Sequence, residues 1–504
     1  MAFLHFLYLH KFLFLLFLFL SSAHISSGQH PAQEIVTFGL KRSDFPKDFL
    51  FGAASSSYQY EGAAFIDGKG PSIWDIFTHN FSNKIADHSN GDVAEDFYHR
   101  YKEDIKLMKF IGLDSFRFSI SWPRLIPTGK LSDGVNQKGI DFYNNLINEL
   151  LANGIKPLVT LFHWDLPQHL EDAYNGFLSP QITNDFMDFA DLCFKEFGDR
   201  VKLWSTINEP NIFTFLAYDL GILAPGRCSA WRNNDCPAGN SATEPYIVAH
   251  NILIAHASPS QKGTIGIVIA TQAYEPFSNS NADIEAVQRA QDFFYGWFAD
   301  PLAFGHYPQS MQDLVGNRLP KFTSAQSDLV KGSFDFFGLN YYSANFAANT
   351  TRNVGTNISY STDNNVLTST IRNGKPIGEQ EGNSMFFVYP KGLQDVLVYT
   401  KNRYNNPLVY ITENGFVETG VNSVQVGVMD NQRINFYREH LKYLKKSIDL
   451  GVNVKGFYPW SFLDTFEWNS GYTLRFGLVY IDYQNGLKRY PKFSALSYKK
   501  FLSS

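Results

Sequence analysis

Two glutamates stand where a pair of carboxylates could act together. Glu413 follows the run Leu408-Val409-Tyr410-Ile411-Thr412, which Pro407 opens and Asn414-Gly415 closes. The run is short, apolar and β-branched at Val409 and Ile411, as in a buried parallel strand. Glu209 ends a second such run, Val201-Lys202-Leu203-Trp204-Ser205-Thr206-Ile207-Asn208, just before Pro210. In an open α/β sheet or a barrel, the carboxyl ends of strands face the ligand. Two Glu there could face one pocket, and glycoside hydrolysis needs such a pair. One gives a proton to the leaving oxygen; the other attacks the anomeric carbon or activates water there. Either Glu alone reads as a surface turn residue. The repeated pattern favours a site.

Positioning these groups requires a regular frame. Candidate strands fall at residues 49–54, 115–120, 156–162, 201–207, 263–270, 334–340, 408–412 and 454–458. Amphipathic helical patterns follow most of them, at 95–111, 137–153, 181–197, 285–298, 390–404 and 431–450. Eight strands interleaved with helices predict an α/β fold, a single (β/α)8 TIM barrel with extended loops on the active-site face. Length alone would allow three domains, but a barrel with insertions also fits. No repeat or linker is apparent. The longest non-periodic insertion, 343–383, is rich in Asn, Thr, Ser and Gly and is expected as a loop on the active-site face.

The other strand ends are also polar. They bring Gln59, Arg117, His163-Trp164, Asn208, Asn340-Tyr341-Tyr342 and Trp460, with Glu467-Trp468 further on. Each alone is more simply a satisfied polar residue. Arg117 within Phe116-Arg117-Phe118 would be costly without an anion to pair with. Together they form the mixture that sugar binding needs: polar groups for hydroxyls and aromatic faces for rings.

Thr206-Ile207-Asn208-Glu209-Pro210 and Ile411-Thr412-Glu413-Asn414-Gly415 resemble the two catalytic signatures of family one glycoside hydrolases, retaining β-glycosidases on a (β/α)8 barrel. The resemblance runs from about Phe45 to about Phe501 and is closest to plant β-glucosidases. It implies Glu413 as nucleophile and Glu209 as acid/base, with Arg117 and Tyr342 holding the nucleophile. It implies Gln59, His163, Trp164, Asn208, Asn340, Tyr342, Trp460, Glu467, Trp468 and Phe476 as substrate-binding residues, Asn208 beside the 2-hydroxyl and Glu467 on the 4- and 6-hydroxyls. Arg117 would stabilise the charge of Glu413, and that charge with burial would keep Glu209 protonated. Retention implies carboxyl groups roughly 5–5.5 Å apart.

Further details follow from the resemblance. Plant thioglucosidases of this family carry Gln in place of the acid/base, so Glu209 favours O-glucosides. A second thioglucosidase group has basic residues soon after the nucleophile, where this chain has Thr419 and Gly420. Met385 stands where relatives usually carry a Trp that stacks on the aglycone, which suggests a reshaped leaving-group site. The helix beginning at Glu244 continues for further turns in relatives; here Ser258-Pro259-Ser260 interrupts it. That is either a tolerated trim or a splice or gene-model error. The expected activity is retaining hydrolysis of β-D-glucosides of small plant aglycones or short oligosaccharides. A transglucosidase of the same family, or a glucoside-binding protein that has lost catalysis, are the alternatives.

The remaining features set the context. With 504 residues, 44% hydrophobic, the chain can bury a large core. Its formal charge of −5, without a basic block, argues against nucleic acid. Residues 12–20 are apolar, after Lys11 and before Ser21-Ser22-Ala23, as in a signal peptide cleaved between Ala23 and Gly28. A membrane anchor is the alternative, although the stretch is short for a span of roughly 20 residues. The expected division is residues 1–27 as signal peptide, 28–44 as N-terminal extension and 45–504 as the catalytic barrel, with delivery to the apoplast or vacuole. The C-terminus, Phe501-Leu502-Ser503-Ser504, carries no endoplasmic-reticulum retention signal. In a secreted chain Cys228 and Cys236, within one polar loop, read as a disulfide, and Cys193 on a helical apolar face reads as a buried thiol. Asn80, Asn349 and Asn357 begin glycosylation tripeptides. No zinc-type spacing or glycine-rich phosphate loop is present, and retaining hydrolysis requires no cofactor.

Overall fold

The computed structural model describes residues 37–259, 262–351, 357–421 and 423–504. The expected leader lies outside them, as does part of the expected extension. Eight parallel strands form the frame: β1 (Leu50–Ala54), β2 (Ser115–Ser119), β3 (Lys156–Phe162), β4 (Leu203–Asn208), β5 (Thr264–Pro276), β6 (Phe336–Asn349), β7 (Leu408–Asn414) and β8 (Val454–Pro459). Each pairs with the next; β8 pairs with β1, which closes the ring. This is the (β/α)8 barrel.

Helices cover the ring: α1 (Phe97–Ile111), α2 (Gln137–Ala152), α3 (Ile182–Phe197), α4 (Glu244–Ala257), α5 (Asn281–Gln291), α6 (Pro390–Arg403), α7 (Asn431–Asp449) and α8 (Phe493–Leu502). Helix α3 shows the logic. Phe186, Phe189, Ala190, Cys193 and Phe197 recur at helical spacing and are all buried. Near the chain's start, Phe38 is buried against Tyr498 and Phe501, which ties the residues before β1 to α8.

The expected loop at 343–383 needs correction. Its first residues, through Asn349, continue β6. They stay extended because β5 also runs on, pairing Ala273 with Ala344 and Pro276 with Ala347. The other edge of β6 is covered by the antiparallel strand Val366–Ser369. Both pairings join distant segments, so local composition carried no sign of them.

Helix α4 ends at Ala257, and the Ser258 hydroxyl donates to Ile254 O at 2.8 Å. It is buried on nearly every side, and the helix Ser324–Val330 packs against it. Cys228 and Cys236 form a disulfide, whereas Cys193 is a buried thiol whose pKa burial pushes well up. Asn80, Asn349 and Asn357 are exposed, and Asn349 Oδ1 accepts from Arg289 at 2.6 Å. Among the described residues, no helix is long and apolar enough to cross a membrane.

Candidate active site

Glu413 sits in β7 at the register position facing Asn340 of β6, and is buried. The glycine two residues on, Gly415, has a steric reason. A Cβ on Gly415 would lie 2.3 Å from Trp460 O, so only glycine lets the chain turn past β8 here. Arg117, fully buried in β2, donates from Nη1 to Glu413 Oε1 at 2.5 Å. Its Nη2 donates to Asn208 Oδ1 at 2.6 Å. One guanidinium thus spans the end of β7 and the end of β4. The Tyr342 hydroxyl donates to Glu413 Oε2 at 2.7 Å. Burial, then the charges of Glu413 and Glu209, push that phenol well above its usual pKa, so it stays a donor.

Glu209 leaves β4 with φ +41°, outside the range that side-chain-bearing residues favour, and its N–H bonds Val268 O of β5. Its carboxyl is buried and accepts from Asn340 Nδ2 at 2.9 Å. Burial, followed by the charge on Glu413, pushes its pKa up to about 8, against the opposing effects of Asn340 and Arg117. The charge of Glu413 is therefore felt at Glu209. Their environments differ: one is held by a cation and a phenol, the other by a neutral amide. Such a pair can divide the work of nucleophile and proton donor.

The polar groups of the other strand ends meet beside this pair. Asn208 Nδ2 donates to His163 Nε2 at 3.0 Å. Burial and Arg117 hold the His163 pKa well below its usual value. A neutral ring accepting at Nε2 carries its proton on Nδ1, and that nitrogen has no partner among the described residues. Trp164 Nε1 donates to Asn208 O at 2.9 Å. Glu467 accepts from Gln59 Nε2 and Trp460 Nε1, each at 3.3 Å. Burial pushes the Glu467 pKa up to about 7. Trp468 packs against Trp74 and Trp164 with ring centres 4.7 Å apart, and His163 stacks near Trp460. The Phe476 ring lies edge-on to Tyr342, with ring centres 6.0 Å apart.

The residues singled out from the strand ends thus converge, except Tyr341, whose hydroxyl donates instead to Tyr389 O at 2.7 Å and whose ring lies against His440 of α7. Three partners were not foreseen. Thr465 donates to Glu467, Ser56 to Gln59 Oε1 at 2.7 Å, and Thr412 to Asn340 Oδ1 at 2.7 Å. Each lies within four residues of a named residue or directly beside one, so proximity in sequence was the available signal. Met385 is 78% exposed, and its neighbour Phe386 packs on Tyr342 with ring centres 5.5 Å apart. Among the described residues, no group of three or more His, Cys, Asp or Glu could hold a metal ion.

Comparison with known proteins matches this arrangement to one family. The Glycosyl hydrolase family 1 profile matches residues 41–504. The chain is 57% identical to furcatin hydrolase of Viburnum furcatum, over 92% of this chain and 86% of that protein. It is 54% identical to an Arabidopsis thaliana β-glucosidase, over 92% of each. Among solved structures, a rice β-glucosidase variant in covalent complex with Glc superposes with a TM-score of 0.90. It shares 47% identity, covering 92% of this chain and all of that one.

Proposed function

Since the chain belongs to glycosyl hydrolase family 1, a family of glycosidases acting on O-glycosidic bonds, we propose that it releases terminal β-D-glucose from O-glucosides with retention of configuration. The observation that carries this reading is the unequal treatment of two neighbouring carboxyls. Glu413 is bonded by Arg117 and Tyr342, whereas Glu209 is raised to about 8.

In the first step the Glu413 carboxylate attacks the anomeric carbon while Glu209 gives its proton to the leaving oxygen. The C–O bond to the aglycone breaks, and a glucosyl ester on Glu413 forms. Esterification removes the charge on Glu413, one of the two causes that raise Glu209. Glu209 then takes a proton from water as that water attacks the anomeric carbon and displaces Glu413 as carboxylate. The covalent Glc complex of the rice relative supports an intermediate of this kind.

Gln59, His163, Asn208, Trp460, Glu467 and Trp468 would hold the glucose. Phe476, Phe386 and the exposed Met385 would border the leaving group, which suits a small plant aglycone or a short oligosaccharide. Secretory delivery, to the apoplast or a vacuole, is part of the same reading. Proton NMR during hydrolysis of an aryl β-D-glucoside tests the mechanism. Early β-glucose is the expected result; early α-glucose would mean inversion and would remove the nucleophile role from Glu413.

A further inference from the structure

Behind the sugar-binding loop lies a group of buried charges that the reaction does not use. Asp464 stands between Trp460 and Glu467 and is fully buried. Its Oδ1 accepts from Lys492 Nζ at 2.8 Å and Gly477 N at 3.0 Å. Its Oδ2 accepts from Arg475 Nη1 at 2.7 Å. Lys492, also fully buried, lies 3.4 Å from Glu418 Oε2. Glu418 in turn pairs with Arg433 of α7 at 2.9 Å, and Arg433 pairs with Asp430 at 2.5 Å. Three cations therefore face three anions, with little access to water. Burial alone would push the Asp464 carboxyl up, but Lys492 and Arg475 more than reverse this and hold it below its usual range.

The backbone contacts of this group show what it joins. Arg433 Nη2 donates to Phe416 O at 3.1 Å and Arg475 O at 2.8 Å. Phe416 follows Glu413 by three residues, and Arg475 immediately precedes Phe476. Asp464 precedes Glu467 by three residues. The cluster therefore bonds the segment after Glu413, the loop carrying Trp460 and Glu467, and the segment leading into α8. Solvated loops would not need buried ions, whose desolvation is costly unless geometry and partners are complete. Here they are complete, and they end on the loops that border the site.

We propose that the Lys492–Asp464–Arg475 and Arg433–Glu418–Asp430 groups form a positioning clamp that sets the glucose-holding loop against Glu413. None of the six touches the proposed substrate; each acts through Trp460, Glu467 or the chain after Glu413. The inference rests on the glucosidase reading above.

Lys492→Met and the milder Glu418→Gln test it, with steady-state kinetics on an aryl β-D-glucoside well below each variant's unfolding midpoint. The clamp predicts a KM raised about tenfold or more in Lys492→Met, as expected when supporting groups let a site shift by a fraction of an ångström. The fall in kcat should be smaller, inhibition by free glucose should weaken in parallel, and Glu418→Gln should move both in the same direction. A cluster that only stabilises the fold would lower the midpoint and leave KM and glucose inhibition unchanged, which overturns the proposal. If Lys492→Met does not fold, Glu418→Gln decides alone: a KM and glucose inhibition equal to the parent's overturn the clamp. An inactive parent in the same assay would overturn the glucosidase reading and the clamp with it.

Discussion

Asn340 faces Glu413 across the β6–β7 register, yet its side-chain amide bonds Glu209 at 2.9 Å. A residue paired by backbone with one carboxylate thus serves the other. It also moderates the acidity of the group it touches, against the larger effects of burial and Glu413. An N–H donor favours the ionised form, so Asn340 lowers the pKa of Glu209 below what burial and Glu413 would impose.

Activity should therefore fall as pH rises through about 8, where Glu209 loses the proton it must donate. Asn340→Ala removes a group that favours ionisation. The Glu209 pKa should rise, and the basic limb of the kcat/KM profile should move to higher pH. A limb that stays put or moves down would mean that another group sets it.

Replacing Glu209 by Gln removes the proton donor but keeps the shape. The loss should be about 10²–10⁴-fold for aryl glucosides with poor leaving groups, the usual worth of general acid catalysis. Dinitrophenyl glucoside, which departs without a proton, should react at its first step far closer to the parent's rate. Equal losses for both substrates, measured by the burst of released phenol, would place the acid elsewhere.

Glu413→Ala should lower turnover by at least about 10³-fold, as loss of a covalent nucleophile does. Azide added to this variant should enter the freed space and attack from the same face, yielding α-glucosyl azide. Recovery of the β-azide would contradict the side of attack assigned to Glu413.

Thr465→Val deletes a hydrogen bond to Glu467 that favours its ionised form. The Glu467 pKa should rise further, and glucoside binding should weaken at neutral pH. Because the bond lies within the protein, its loss acts on KM only through the position and charge of Glu467, and KM should rise several-fold while kcat changes less. An unchanged KM would show that Thr465 does not tune how Glu467 holds the sugar.

The Cys228–Cys236 bridge closes a loop with a sequence separation of 8. Chain entropy then assigns it about 2.5 kcal/mol, near the lower end for disulfides. Replacing both cysteines by Ser should lower the denaturation midpoint accordingly without changing kcat/KM. A large activity loss in the folded variant would mean that this loop also shapes the site.

Glu209, Glu413, Arg117 and the polar strand ends were legible in the sequence because a barrel couples function to local pattern. A short, continuously apolar strand announces itself, and its carboxyl end faces the mouth. Cys193 and the inward face of α3 were legible for the same reason, since helical spacing fixes which side is buried. What needed the tertiary structure was everything held by a distant partner. The extension of β6 through Asn349 exists because β5 runs beside it and Val366–Ser369 covers its edge. The pairing of Arg117 with Glu413 was expected, but its second bond, to Asn208, which joins a third strand, was not. The pairing of Lys492 with Asp464 and Glu418 joins segments that no periodicity relates. Local sequence sets backbone preference and burial, whereas hydrogen bonds and ion pairs depend on distances of a few ångströms that only the closed barrel determines.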